Sequence, residues 1–490
     1  MLIIIQKKEI LKLLDVYVFQ SPTEDCWIHE PLGRFVKIFR NRKKLQRIRS
    51  NVILQKDSMT LFTNFLDYSI SEDIGKYFNG GKTLNGEDTL TSINGYYYAN
   101  ENELYFKENV KVINPRYTIN CDTLKHNTKK KISYILGPTK IISAENDSNY
   151  IYCENGWYNH NTDMAQFRQN AILVNGKQTL KGDSLFYDRK KRLGRAINNV
   201  TAIDSTQNTL LTGDFGEYNE VSESSLVTKK AMFIQIKEGD SLYLHADTLL
   251  SLKDTSFTKT DTIGYTLIKG FHRVKLFKSD FQSKCDSLVY SMLDSTIEMH
   301  SKPVMWSGKN QITAKFIKIF TKNNEISEVH MNNNALIVAE SDTIHYDQIR
   351  GTNMIAHMLN KKLRKIDVND NGALIYFGRD NGELAAINKL TCKNMVIYMN
   401  NNEVDTIWFY ENPEGTLYPP DYLTEEDLFF DNFEWHAKQR PKNKNDIFIW
   451  YDEPTQNKKT EQKKESTKKP SADKDIRKKE TIKGNVSRQN

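Results

Sequence analysis

A chain of 490 residues with 24 Tyr, 23 Phe and only 11 Pro, at a mean hydropathy of −0.62, describes many narrow aromatic-rich strands rather than one thick globular core. Its formal charge of +7 is confined to the ends: residues 1–50 carry +6, residues 455–490 carry +7, and the stretch between them carries −6. A basic body suited to nucleic acid is thereby excluded, and no run of 18 apolar residues exists to cross a membrane as a helix.

Residues 1–50 stand outside the pattern that fills the rest of the chain. Ile10–Phe19 suggests a short helix, and Arg40–Arg49 reads as a solvated basic run. Met1–Ile5 is too short an apolar region for a signal peptide. The pattern enters at Asn51-Val52-Ile53-Leu54 as if in mid-repeat, so the natural start of the array is expected upstream.

From residue 51 to 418 one phrase recurs. Its clearest copy is Lys181–Val200: Gly182 and Asp183, then Leu185, Tyr187, a charged turn, and an apolar run closing on Asn198-Asn199-Val200. With Tyr187 as anchor, the equivalents are Tyr68, Tyr97, His126, Tyr158, Tyr218, Ser251, Tyr290, Ile319, Ala356 and Ile397, spaced 29 to 41 residues apart as in a repeat array. Five residues before each anchor stands a small residue: Thr63, Ser92, Cys121, Cys153, Gly182, Gly213, Ala246, Cys285, Ala314, Gly351 and Cys392. Two residues before it stands Gly or an apolar residue: Leu66, Gly95, Leu124, Gly156, Leu185, Gly216, Leu249, Leu288, Ile317, Met354 and Met395.

Turn clusters such as Asn79-Gly80-Gly81, Asp188-Arg189-Lys190 and Asn400-Asn401-Asn402 separate β-prone segments, among them Met59–Tyr68, Lys131–Leu136 and Ile312–Phe320. Residues 51–418 therefore read as all-β. The anchor and the residue two before it share a strand face and build an inward apolar column. The acid four before the anchor (Asp122, Asp183, Asp214, Asp247, Asp286) is expected at a bend where its strand begins, with the carboxylate turned to backbone N–H groups or at a bulge. One copy cannot bury its apolar face, so copies must stack. The expected architecture is an elongated repeat β-jellyroll, two stacked antiparallel sheets in a V with an apolar seam. Gly95, Gly156 and Gly216 in the apolar column would leave that seam incompletely filled and open to hydrocarbon. The alternative is that Tyr96, Trp157 and Phe215 fill those places.

Pro419–Trp450 leaves the pattern, so residues 419–454 read as a cap over the array's last edge. Residues 455–490, Lys-rich and almost without apolar side chains, read as a disordered tail. The chain shows no phosphate-cradling Gly loop, no paired-His zinc helix, no Cys-x-x-Cys and no Gly-x-Ser-x-Gly. Four of the five cysteines fall in the small-residue column and read as small buried apolar groups. No catalysis, metal or cofactor is expected.

The phrase Gly182-Asp183-Ser184-Leu185-Phe186-Tyr187-Asp188 and the closing Asn109-Val110 and Asn199-Val200 resemble the OstA-like family, related to the organic-solvent-tolerance and LptA proteins. Tyr77-Phe78-Asn79-Gly80-Gly81-Lys82, Gly137-Pro138-Thr139, Cys153–Tyr158 and Asp446–Trp450 resemble it too, so the likeness runs from about 51 to 450. The resemblance implies a periplasmic, non-enzymatic β-jellyroll in lipopolysaccharide transport and outer-membrane assembly, a V-shaped "β-taco" that holds lipid A acyl chains. It implies partnership with lipopolysaccharide and with other Lpt-type jellyrolls or a second copy through edge strands, and none with nucleic acid. Through the repeat register, the groove candidates are Leu66, Leu124, Tyr158, Leu185, Tyr187, Tyr218, Leu249, Leu288, Tyr290 and Ile317. Two rival readings are a structural or adhesive β-array with a filled core and a carbohydrate-active β-helix enzyme. The second would need an acidic or basic cluster on successive rungs, and the repeat places one acid per copy.

Overall fold

A computed structural model describes residues 17–20, 25–29, 35–40, 45–56, 58–69, 71–257, 262–322, 325–400 and 403–451. The chain divides into two units, Met1–Ile449 and Trp450–Asn490, and all described strands lie in the first. They join one antiparallel sheet that begins with Tyr17–Gln20 and runs on to Glu414–Tyr418. The fold is all-β, as the repeat predicts, and fits an elongated β-jellyroll.

In the middle of the array, Tyr150–Asn159, Met164–Asn175, Gln178–Asp188 and Leu193–Asp204 follow one another as hairpins, each paired along its length with the next. Each strand turns a corner halfway along. On alternate strands the corner is two successive left-handed residues: Ser50-Asn51, Glu108-Asn109, Gln169-Asn170, Asn198-Asn199, His272-Arg273 and Asn333-Asn334. The ladder slips at those points, for example between Ile197 and Val200. Asn recurs there because its short polar side chain tolerates positive φ. The next residue turns inward, and Val52, Val110, Ala171, Val200, Val274 and Ala335 are all buried, as is Ala231 after the left-handed pair Lys229-Lys230. The recurring Asn-Val is thus a mid-strand corner and not the close of a repeat.

The intervening strands bend at the small-residue column, which is buried throughout except for half-buried Ala314. Two arms of backbone meet there. A Cβ on Gly213 would stand 2.5 Å from Val227, and one on Gly351 2.5 Å from Val368. The recurring acid lies at this bend, at the start of its strand for Asp247 as expected but in mid-strand for Asp122, Asp183, Asp214 and Asp286, and it bonds side chains rather than backbone N–H groups. Asn199 Nδ2 donates to both Asp183 oxygens at 3.1 and 3.0 Å, and Arg273 meets Asp247 at 2.7 Å. Asp183, Asp214, Asp247 and Asp286 thereby meet a corner residue of the strand beside them, whereas Asp122 accepts from Thr123.

The two expected sheets are accordingly the two arms of one sheet folded along the corner line. Residues before and after the corner, such as Leu244 with Leu249 and Ile312 with Ile317, share one apolar cluster. The pattern also extends further upstream than expected. Strand Leu45–Lys56 runs through residue 51, Ser50-Asn51 is its corner, and Arg49 pairs with Asp67 at 2.6 Å instead of standing in solvent. Tyr17–Gln20 is a strand, which takes the end of the expected helix; residues 10–16 and the tail 455–490 lie outside the described residues.

After Tyr418 the chain does not pair with the last edge. It runs back over the outer face of one arm, opposite the core. Lys389 Nζ donates to Asp427 O at 2.8 Å. Gln348 donates to Leu428 O at 2.8 Å and accepts from Phe430 N at 3.0 Å. Gln311 donates to Glu434 O at 2.6 Å and accepts from His436 N at 2.7 Å. Arg440 Nε then donates to Gln282, and Lys275 Nζ to Ile449 O, at 2.7 and 2.6 Å. The buried Gln311 and Gln348 amides each satisfy one N–H and one C=O of the strap, as a neighbouring strand would.

Candidate functional site

Direct cross-strand partners trace one row across the lower arm, at the mouth of the fold and away from the corner. It runs Tyr97, Leu104, His126, Ser133, Tyr158, Ala165, Tyr187, Gly194, Tyr218, Ser225 and Ser251. It continues Ile268, Tyr290, Ile297, Ile319, Val329, Ala356, Ile366 and Ile397. The first part alternates rings with small residues; the second is mostly branched aliphatic. Rings two strands apart stand about 9–10 Å from each other, leaving slots floored by Ala165 and Gly194.

Burial changes with composition. From Ile268 to Ile397 every member of the row is buried, whereas Tyr97, His126, Tyr158, Tyr187 and Gly194 are half-buried and Tyr218 is 39% exposed. The opposite arm changes near the same place. Its inward residues Ile119, Ile141, Ile151, Leu173, Leu180 and Ala202 are half-buried, and from Leu211 through Phe233, Leu244 and Leu276 they are buried. The arms therefore enclose a filled core beyond about residue 230 and a partly exposed apolar mouth between about residues 97 and 225, and before that mouth Leu61, Tyr68, Leu90 and Val112 are buried again.

The candidate residues divide along these lines. Leu66, Leu124, Leu185, Leu249, Leu288 and Ile317 are buried close to the corner, where they hold the arms together. Tyr290 is buried too, and its hydroxyl donates to Gln235. Tyr158, Tyr187 and Tyr218 reach the mouth. The glycines leave no holes: a Cβ on Gly95 would strike the Tyr77 ring, one on Gly156 would stand 2.6 Å from Gln166 O and 3.5 Å from Phe167, and one on Gly216 would stand 3.1 Å from Val200. Side chains from adjoining strands occupy these places, and not Tyr96, Trp157 or Phe215. The openness lies farther out, at Gly194 and along the half-buried aliphatic row, while Ala165 is small but itself buried. Sequence reading missed these because they lie on the alternate strand, out of register with the anchor.

The mouth is polar at its rim. Tyr158 donates to Asp163 at 2.7 Å and Tyr187 to Glu220 at 2.8 Å. Burial raises the pKa values of Tyr117, Tyr158 and Tyr187, and nearby Arg189 offsets part of the rise. Ser133 Oγ lies 3.0 Å from His126 Nδ1 and 2.9 Å from His160 Nε2. Burial, then the neighbouring His160 and Lys131, pushes His126 down to about 4. The four described cysteines are free and buried, with burial raising Cys121 to about 12 and Cys153 to about 11, so they are inert core groups. Among the described residues no three His, Cys, Asp or Glu side chains gather as metal ligands, and no helix is long and apolar enough to cross a membrane.

The model of the OstA-like protein family matches residues 37–122 and 139–247. These parts of the chain are OstA-like. No curated protein matches the chain. The OstA-like residues take in most of the half-open mouth, without His126 and Ser133, and end near the point where the core closes. They also take in the whole of strand Leu45–Lys56 and its corner, upstream of the boundary the repeat suggested. The family and the folded sheet together are consistent with a lipopolysaccharide-transport-type β-jellyroll, and the family is one of transport and binding rather than catalysis.

Proposed function

We propose that the chain is a non-enzymatic periplasmic lipid-binding bridge in lipopolysaccharide transport and outer-membrane assembly, with acyl chains lying in the mouth between about residues 97 and 225. One observation carries this reading: most inward positions are half-buried from Tyr97 to Tyr218 on one arm and from Ile119 to Ala202 on the other, and buried on both sides of that stretch. Half-buried Ile119, Ile141, Leu173 and Leu180 on one arm and Tyr158 and Tyr187 on the other supply apolar surface that gains about 0.8 kcal/mol for each methylene it removes from water. Strand Glu403–Tyr410 pairs with Asn394–Asn400 on one side alone among the described residues, and its other side, with Val404, Trp408 and Tyr410 exposed, is an edge to which another jellyroll or a second copy could add a strand.

Gly194 provides the test. It stands in the mouth between Tyr187 and Tyr218, and a Cβ there meets nothing closer than 3.9 Å. Gly194→Trp fills the slot while leaving the corner core intact. Binding of lipopolysaccharide to the purified chain is expected to fall at least about tenfold, equivalent to about 1.4 kcal/mol, with the unfolding midpoint little changed. Undiminished binding by a folded Gly194→Trp chain would remove the mouth from consideration. The rival structural reading has its support in the filled section beyond residue 230, and it predicts no bound lipid after gentle extraction.

A further inference from the structure

We infer that the lower rim of the mouth is a headgroup site for a phosphate-bearing acyl lipid, built from Lys129, Lys130, Lys131, Arg189 and Lys190; this rests on the mouth taking acyl chains. These residues lie in the hairpin turns that follow His126 and Tyr187, and all five are exposed. The turns are stacked by backbone hydrogen bonds, His160 N to Lys131 O at 2.9 Å and Arg189 N to Asp163 O at 3.1 Å. Side chains join them as well: Asn161 Nδ2 donates to Lys130 O and Lys190 Nζ to Asn161 O, both at 3.1 Å. The cations are thus fixed along one line beside the half-open row.

Charge pairing sets this group apart. Arg192 has Glu220 at 2.7 Å and Lys191 has Asp188 at 3.8 Å. Among the described residues no carboxylate lies within ion-pairing distance of Lys129, Lys130, Lys131, Arg189 or Lys190. The nearby acid Asp163 accepts from Tyr158 instead. In the closed section the corresponding turn at 292–295 carries Asp294 and no Lys or Arg, and in the turn after Ala356 Lys361 lies 3.9 Å from the Glu325 carboxylate. Unpaired cations therefore coincide with exposed apolar surface, which is complementary to an amphiphile with an anionic head. Phosphate suits it best, because its oxygens accept several charge-assisted hydrogen bonds at once from Arg and Lys.

The test compares two amphiphiles with the same tail, dodecyl phosphate and dodecyl maltoside, titrated below their micelle concentrations into the full chain at low salt. The unaltered chain is expected to prefer the phosphate by about tenfold. The combined Lys130→Glu, Arg189→Glu and Lys190→Glu variant should lose that preference and keep its maltoside affinity; the milder Lys130→Gln and Arg189→Gln variant should lose part of it. Inorganic phosphate at equal concentration should displace neither amphiphile. If both tails bind with no preference, or the preference survives the charge reversal, the rim assignment is overturned and the acyl reading stands. Displacement by inorganic phosphate would make the rim a free-anion site and overturn the headgroup assignment. If neither amphiphile binds, both readings fall together.

Discussion

Asn199 shows how much a single backbone angle decides. It sits at φ 50° and donates to Asp183, so one residue both makes the corner and staples it. Asn199→Val puts a β-branched side chain into left-handed backbone and should cost about 1–2 kcal/mol, whereas Asn199→Gly keeps the corner and should cost less than about 1 kcal/mol. Urea unfolding of the two variants measures the difference; equal losses would mean that the corner is not conformationally demanding. His126 gives a pH dependence. Its folded pKa of about 4 lies below the ordinary 6.5, so the unfolded chain binds more protons between those values and stability falls as pH drops through that window. His126→Gln should flatten that slope by on the order of 1–2 kcal/mol, read from urea midpoints at pH 7 and pH 4.5. At this scale the small and apolar columns were legible, because volume at a corner is restrictive and sequence spacing preserves it. The handedness of Asn198-Asn199 was not legible: the pair reads equally well as a strand's end, and only the ladder through Val200 shows that pairing continues.

The strap after Tyr418 is the element whose role the sequence concealed. Its aromatic residues suggested a cap, yet its backbone polar groups are met by glutamine side chains on the outer face of the filled section. A signal was present: Gln282, Gln311 and Gln348 each stand three residues before the small column, an outward position that ordinarily needs no amide. Their recurrence in three copies marks a face that something covers. Removing both Gln311 and Gln348 side chains, as Gln→Ala, leaves strap N–H and C=O groups without partners, at about 1–3 kcal/mol each. Limited proteolysis should then cut between residues 424 and 449 faster than in the unaltered chain, while the array itself stays resistant. An unchanged cleavage rate would show that apolar contacts such as Phe430 against the array hold the strap without the amides.

Over the whole sheet, the repeat gives the architecture and the departures from the repeat give the function. All-β stacking was legible because eleven copies keep the same small and apolar columns. The change from mouth to filled core was half legible: the anchors shift from Tyr97, Tyr158, Tyr187 and Tyr218 to Ile319, Ala356 and Ile397. The residues that leave room, Ala165 and Gly194, belong to the paired strand, and cross-strand register cannot be read from spacing alone. Leu185 and Leu288, natural choices from the sequence, are buried at the corner and would not meet a guest. The decisive measurement therefore places a photoreactive residue, one position at a time, at Tyr158, Tyr187, Tyr218, Tyr290, Ile319 and Ile397, and scores adducts with lipopolysaccharide. Adducts at the first three and none at the last three are the predicted result; labelling that is equal along the row, or confined to its buried half, would contradict the account.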